Sequence, residues 1–339
     1  MILHILGVIF AFNILIFAHE LGHFLTARLM GLPVEEFAIG FGRKIFSFKV
    51  HETTYSLRLI PLGGFNRIPH LDTDKLGSDT DLLGYLKRAI VLAAGSLFNF
   101  VSAFVVLFLA VCLIGLPGSS TEIARVDDAS IAANALQTGD RIVQVDDEKL
   151  FKGEQVPIYL YGYMKANDSL SLTVERDGKL LPLTLTKYPG EPLGITFATD
   201  YYTLSVNHAA DVAAEAFIYI GGQIVDETAK LFKNPSQDMV KAMSGPVGIS
   251  AVMYEAQEAM GMFGLAFIFA FVSINVGIVN LLPIPIFDGG HILLQGIQFI
   301  TRNAIGERML RLCNYAGLAI IVVLFSLGLY GDAARIFLQ

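Results

Sequence analysis

The sequence predicts a polytopic α-helical membrane protein. It has four transmembrane helices, a membrane-associated β-hairpin or small sheet between the first two, and a globular β-rich insert between the second and third. Three observations carry this. Of 339 residues, 54% are hydrophobic and 16% charged, against about 25% charged in an ordinary soluble domain, and the mean hydropathy is +0.57. Four apolar stretches approach the roughly 20 residues that cross a bilayer. Two of the intervening stretches alternate apolar and polar residues with the period of a strand.

The first span covers residues 1–30 and is almost wholly apolar outside residues 19–23. It is distinct from a signal peptide, because it lacks a basic leading region and a small-residue cleavage site. Residues 33–69 follow. Ile45-Phe46-Ser47-Phe48-Lys49-Val50 and Tyr55-Ser56-Leu57-Arg58-Leu59-Ile60 alternate as two strands about a turn at His51 to Thr54. Gly40-Phe41-Gly42 and Gly63-Gly64 mark sharp turns or close backbone approach. Residues 89–116 form the second span. Residues 117–190 are polar, with strands at Arg141–Val145 and Leu170–Val174 and turns at Thr138-Gly139-Asp140 and Arg176-Asp177-Gly178-Lys179, and read as the globular insert. Residues 200–261 form an amphipathic region, helical over Leu204–Phe232, with breaks at Asn234-Pro235-Ser236 and Ser244-Gly245-Pro246-Val247-Gly248. The third span, 262–302, is interrupted near Pro283, and the fourth covers 312–332.

Charge orients these elements. Residues 28–88 hold nine Lys and Arg, and residues 117–261 hold eleven against twenty Asp and Glu. Arg302, Arg308 and Arg311 sit between spans three and four. The positive-inside rule places the hairpin and that short loop in the cytoplasm and the insert outside. The net charge of -7 excludes nucleic acid as a partner. The two cysteines, Cys112 and Cys313, lie in apolar runs and read as helix packing, with neither a disulfide framework nor a Cys-based zinc site.

The chemistry is concentrated in His19-Glu20-Leu21-Gly22-His23. Residues four apart share one helix face, so both imidazoles can meet one metal ion, with Glu20 beside them to hold a water. Ionisable groups in a membrane segment are costly and mark function by default. His19 is nine residues from Arg28, about 13 Å along the helix, which sets the site within the bilayer near its cytoplasmic side. A third ligand has to come from elsewhere. Asn280-Leu281-Leu282-Pro283-Ile284-Pro285-Ile286-Phe287-Asp288-Gly289-Gly290 breaks a membrane helix with two prolines. Asp288 is the only acidic residue between Glu258 and Glu307. Capping the resumed helix is its bland role. Ligating a cation is the reading favoured for a carboxylate in lipid. Two histidines and one carboxylate leave a fourth zinc position for water, the catalytic arrangement. His291 reads as a supporting or buried histidine, and Asn99 as a bond between helices. Asn280 either contacts a peptide or caps the broken helix.

These motifs, with Gly40-Phe41-Gly42 and Ser244-Gly245-Pro246-Val247-Gly248 in the same order, resemble the bacterial site-2 proteases over essentially the whole chain. These are the zinc intramembrane metalloproteases, and the likeness is to the RseP-type (regulator of sigma-E protease) branch. The stretch from Ser130 to Ile142 resembles a PDZ domain of the bacterial protease type, which argues against the sporulation-type branch.

The resemblance implies Zn2+ held by His19, His23 and Asp288, with Glu20 as general base. It implies Asn280 at the substrate strand or the oxyanion, and clamps for an unwound substrate at Gly40, Phe41, Gly42, Pro283 and Pro285. It implies a multi-pass protein of the bacterial cytoplasmic (inner) membrane with an extracytoplasmic PDZ domain. The implied substrates are single-span membrane proteins, such as anti-sigma factors and remnant signal peptides, after a first cleavage. Two departures stand out. The insert holds one PDZ domain where enterobacterial members carry two, and Gly95-Ser96 replaces the usual Gly-Pro on span two. The contrasting expectation is a catalytically silent membrane scaffold with a peptide-binding PDZ module, which has no need of Glu20.

Overall fold

The computed structural model describes residues 2–71, 81–127, 130–146, 148–149, 169–186, 194–233, 245–302 and 305–337. The chain forms two compact units, residues 1–109 with 207–339, and residues 110–206. The expected break at Asn234-Pro235-Ser236 and part of the insert, including 150–168, lie outside the described residues.

In the first unit, helix α1 (Ile2–Leu29) ends where Gly31 takes φ 74° and Leu32 N–H donates to Ala27 O at 2.8 Å, the left-handed stop that glycine permits. Strands β1 (Glu36–Val50) and β2 (Thr53–Arg67) follow. They are longer than the two expected strands, and each bends. Residues 46–50 pair with 53–57 beside the turn, while 36–39 lies between 54–57 on one side and 64–67 on the other. The bends fall at Gly40 (φ 84°), Gly42 (φ 83°) and Gly63 (φ 124°), and a Cβ on Gly40 would come within 2.7 Å of Ile60 O. Bending resets the inward and outward alternation, so the sequence pattern loses phase at these glycines and understates strand length. Segment 64–67 has no second strand partner among the described residues.

The sheet packs on α1 through aromatic contacts of Phe17, Phe24, Phe37 and Tyr55. Glu36 is buried and fully answered. Ser56 Oγ, Arg58 and Lys44 reach its Oε1 at 2.7, 2.8 and 2.9 Å, as a buried carboxylate requires.

Helix α2 (Leu82–Leu113) runs without a break through Gly95-Ser96. Helix α3 (Val206–Lys233) is amphipathic. Its Ala213, Ile220 and Ile224 pack with Ala103 and Leu107 of α2 and with Ala270 and Ile274 of the next helix. That helix, α4 (Pro246–Leu281), leaves helical geometry at Met260 and Gly261, next to the expected start of the third span. After an extended segment come α5 (Asp288–Thr301) and α6 (Glu307–Phe337). Asp332 of α6 accepts the backbone N–H groups of Gly245 and Gly248, each at 3.0 Å. It thereby caps α4 from another element and accounts for the Gly/Pro loop there. Among the described residues, four helical segments are long and apolar enough to cross a membrane: Phe10–Leu29, Leu82–Leu113, Gly248–Leu281 and Arg308–Asp332.

The second unit is a sheet in the order β7-β6-β4-β3-β8. Its strands are β3 (Leu116–Val126), β4 (Arg141–Val145), β6 (Ser169–Arg176), β7 (Lys179–Thr186) and β8 (Ile195–Tyr202), and the short β5 (Glu148–Lys149) pairs with β4. Ile123, Leu136, Ile142, Val145, Leu172 and Val174 form its core. β3 begins at Leu116, where the second span was expected to end, and pairs with β8, which lies beyond residue 190.

Candidate metal centre

His19 and His23 lie one turn apart on α1 and face α2. The α1–α2 approach is close because both sides present glycine. A Cβ on Gly22 would meet Ala94 O at 2.4 Å, and one on Gly95 would meet His23 Nε2 at 2.4 Å and His19 Cε1 at 2.6 Å. His23 Nδ1 sits 2.8 Å from Val91 O. A carbonyl only accepts, so Nδ1 carries the proton and Nε2 presents its lone pair. His19 Nδ1 lies 3.3 Å from the buried Asn99 amide. Asn99 O in turn accepts from Ser102 Oγ and Ser273 Oγ, at 2.9 and 2.8 Å, which ties α2 to α4. Asn99 therefore does more than join helices: with its amide turned so that the otherwise unpartnered Oδ1 accepts the Nδ1–H, it holds His19 with Nε2 free to face a metal.

The broken span brings Asp288 to the same point. Its Oδ2 lies 3.2 Å from His19 Nε2 and 3.5 Å from His23 Nε2, and the two Nε2 atoms are 3.1 Å apart. The three donor atoms form a buried or half-buried cluster with metal-binding geometry. Bonds of about 2.0–2.1 Å in a tetrahedron separate ligand atoms by about 3.3 Å, so the observed spacings fit one zinc ion. Asp288 Oδ2 is buried without a hydrogen-bond donor, a costly state that a cation relieves.

The segment preceding Asp288 is held by close packing. Phe287 has extended backbone, and His291 N–H donates to Phe287 O at 3.1 Å. Gly289 and Gly290 would strike Leu281 O and Ile284 O with any Cβ, and Gly317 of α6 would strike Pro285 O. Ile286 takes φ 93°, strain a β-branched residue bears only where its surroundings impose it.

A cavity of about 520 Å3 opens on the cluster. Glu20, Asn66, Asn280, His291 and Asn314 supply polar groups, and Phe65, Ile68, Leu71, Leu92, Ile286 and Phe287 supply apolar wall. Asn280 Nδ2 lies 3.5 Å from His19 Nε2. Glu20 accepts from Asn66 Nδ2 at 2.7 Å. Gly40-Phe41-Gly42 stands one layer back. Phe41 stacks on Phe65 with ring centroids 6.3 Å apart, and Arg58, which donates to Gly42 O at 2.7 Å, covers the Phe65 ring at 4.9 Å. Pro283 and Pro285 shape the loop without lining the cavity. Sequence reasoning missed Asn66 and Val91 O, which carry no signal in the sequence, and named Gly95 for the shape of span two and not for its approach to the histidines.

The sequence model of peptidase family M50 matches residues 7–324. The chain belongs to peptidase family M50. A Campylobacter jejuni protein named as a zinc metalloprotease is 31% identical over 353 aligned positions, covering 98% of this chain and 93% of its own length. A Fusobacterium nucleatum protein so named is 34% identical over 308, covering 85% and 86%. The regulator of sigma-W protease RasP of Bacillus subtilis is 27% identical over 427, covering 98% and 99%. This M50 peptidase is thus a zinc metalloprotease of the site-2 protease family and a multi-pass membrane protein, with zinc as its cofactor. The silent scaffold falls away.

Proposed function

We propose that this M50 peptidase hydrolyses peptide bonds within the spanning segments of single-span membrane proteins. The observation that carries the reading is the convergence of His19 and His23, on a helix apolar enough to span a membrane, with Asp288 at the spacing of zinc ligands, and Glu20 beside them. His19, His23 and Asp288 would hold the ion, which when bound would supply Lewis acidity to the scissile carbonyl and to the attacking water. Glu20 takes the proton of the attacking water and passes it to the leaving amine. Asn280 faces the developing oxyanion or the substrate strand.

A helix hides its carbonyls in hydrogen bonds, so the substrate has to unwind first. The edge at 64–67, beside Glu20 and without a second strand partner among the described residues, suits it as an added strand, backed by Gly40-Phe41-Gly42, with the Pro283–Pro285 loop as the opposite clamp. Residues 117–190 act as a single extracytoplasmic PDZ domain that admits substrates already trimmed by a first cleavage. The substrates are anti-sigma-factor-like proteins, in keeping with the name of the B. subtilis relative, and remnant signal peptides. The active site lies toward the cytoplasmic side of the inner membrane.

Glu20→Gln tests the mechanism. The variant is expected to fold and retain one zinc per chain while uncleaved single-span substrates accumulate on co-expression. Cleavage at the wild-type rate would falsify the role of Glu20.

A further inference from the structure

Asn66 belongs to the outer segment of β2, two residues from Gly64 and hence on the same strand face. That face lies against α1 at Glu20. A Cβ on Gly64 would come within 3.1 Å of Glu20 Cγ, so the strand approaches the acid as closely as its backbone allows. Two residues on, Asn66 Nδ2 donates to Glu20 Oε2 at 2.7 Å and to Glu20 O at 2.6 Å. Both targets only accept, which sets the amide: Nδ2 toward Glu20 and Oδ1 away from it. Oδ1 is then buried without a hydrogen-bond partner. An orphaned acceptor is costly, so the tether to Glu20, and not the Oδ1 end, is what an asparagine does at this position.

We infer that Asn66 is a positioning residue for the cleavage reaction, holding the Glu20 carboxylate against the strand edge that receives the substrate. This rests on Glu20 as the base. The amide fixes one carboxylate oxygen and leaves the other to the reacting water. A base free to swing among rotamers meets its water less often, and misplacement by about 1 Å costs on the order of 100-fold in rate. Because Asn66 sits on the docking edge, the element that takes the substrate also steadies the base.

The test uses the full-length protein in detergent or vesicles and a fluorophore–quencher peptide. The peptide has one apolar spanning segment interrupted by a glycine pair, chosen from a small panel as the one wild type cleaves fastest. Asn66→Leu keeps the shape and removes the donor. Its kcat is expected to fall on the order of 10- to 100-fold, with KM within about twofold of wild type and zinc content unchanged. Asn66→Asp, of the same shape, is expected to show the same loss, and Asn66→Gln, which restores a donor, to recover much of the rate. Combined with Glu20→Gln, Asn66→Leu is expected to leave peptide affinity unchanged. Wild-type kcat in Asn66→Leu and Asn66→Asp would overturn the inference. So would a raised KM with kcat intact, which belongs to a substrate contact. A dead Glu20→Gln beside a fully active Asn66→Leu removes the tether and spares the base. A fully active Glu20→Gln removes the base itself.

Discussion

Gly95 faces His19 and His23 at a distance that leaves no room for a Cβ, which would stand 2.4 Å from His23 Nε2. The helix backbone at Gly95 is ordinary, so the glycine serves approach and not conformation. Gly95→Ala is accordingly expected to keep its helix content and to push the imidazoles apart. Zinc affinity should fall on the order of 10- to 100-fold, the range for disturbing the support of a metal ligand, as read from zinc retention against a competing chelator. Unchanged retention would mean that α1 and α2 separate freely, against the Gly22–Ala94 contact. Ser96, next in line, is fully buried with its Oγ unpaired. It keeps the backbone N–H that a proline there would remove, consistent with an uninterrupted α2.

At the scale of elements, an ion pair ties the turn before β4 to β6 in the second unit. Asp140, in the turn before β4, accepts Arg176 Nε and Nη2 of β6, each at 2.7 Å, and the Gln137 N–H at 2.8 Å. Burial by itself would raise the Asp140 carboxyl. The Arg176 hydrogen bonds, the Gln137 N–H and the Arg176 charge outweigh it and hold the pKa below the usual aspartate value. A depressed carboxyl stabilises the fold above its unfolded pKa of about 3.9. That contribution is lost as the pH falls further, through the folded value. Asp140→Asn is expected to cost about 1–3 kcal/mol at pH 7. Its melting temperature should converge on that of wild type as the pH falls from about 3.9 through the depressed folded value. A gap that persists at low pH would assign the cost to packing. The site is likewise made by pairs of elements: α1 with α2 for the imidazoles, α1 with β2 for Glu20, and the loop before α5 with α6 for Asp288.

At the scale of the whole molecule, the charge asymmetry predicts sidedness. In a background with Cys112 and Cys313 replaced by alanine, Ser171→Cys in the second unit is expected to react with an impermeant maleimide on intact cells. Lys49→Cys in the hairpin should react only after lysis. Both side chains are uncovered by the rest of the protein, so the reverse pattern would invert the topology. The long apolar spans, the break at the two prolines and the H-E-x-x-H face were legible because each is a local pattern, set by helix period or by chemistry within a few residues. The double bend of the hairpin was not, because glycines at φ above 80° shift the alternation that periodicity depends on.

By itself, the sequence determined a membrane protein with paired histidines on one helix face and an isolated carboxylate after a broken span. Spacing and the cost of charge in lipid are enough for that. Only the tertiary structure decided that Asp288 stands 3.2 Å from His19, 269 positions away in the chain. It also decided that Val91 and Asn99 orient the imidazoles and that Asn66 grips Glu20. These contacts join residues on different elements, and no period along a chain encodes which distant atom will be a neighbour. Packing does, through glycines that let helix and strand close to the distances at which hydrogen bonds and metal ligation act.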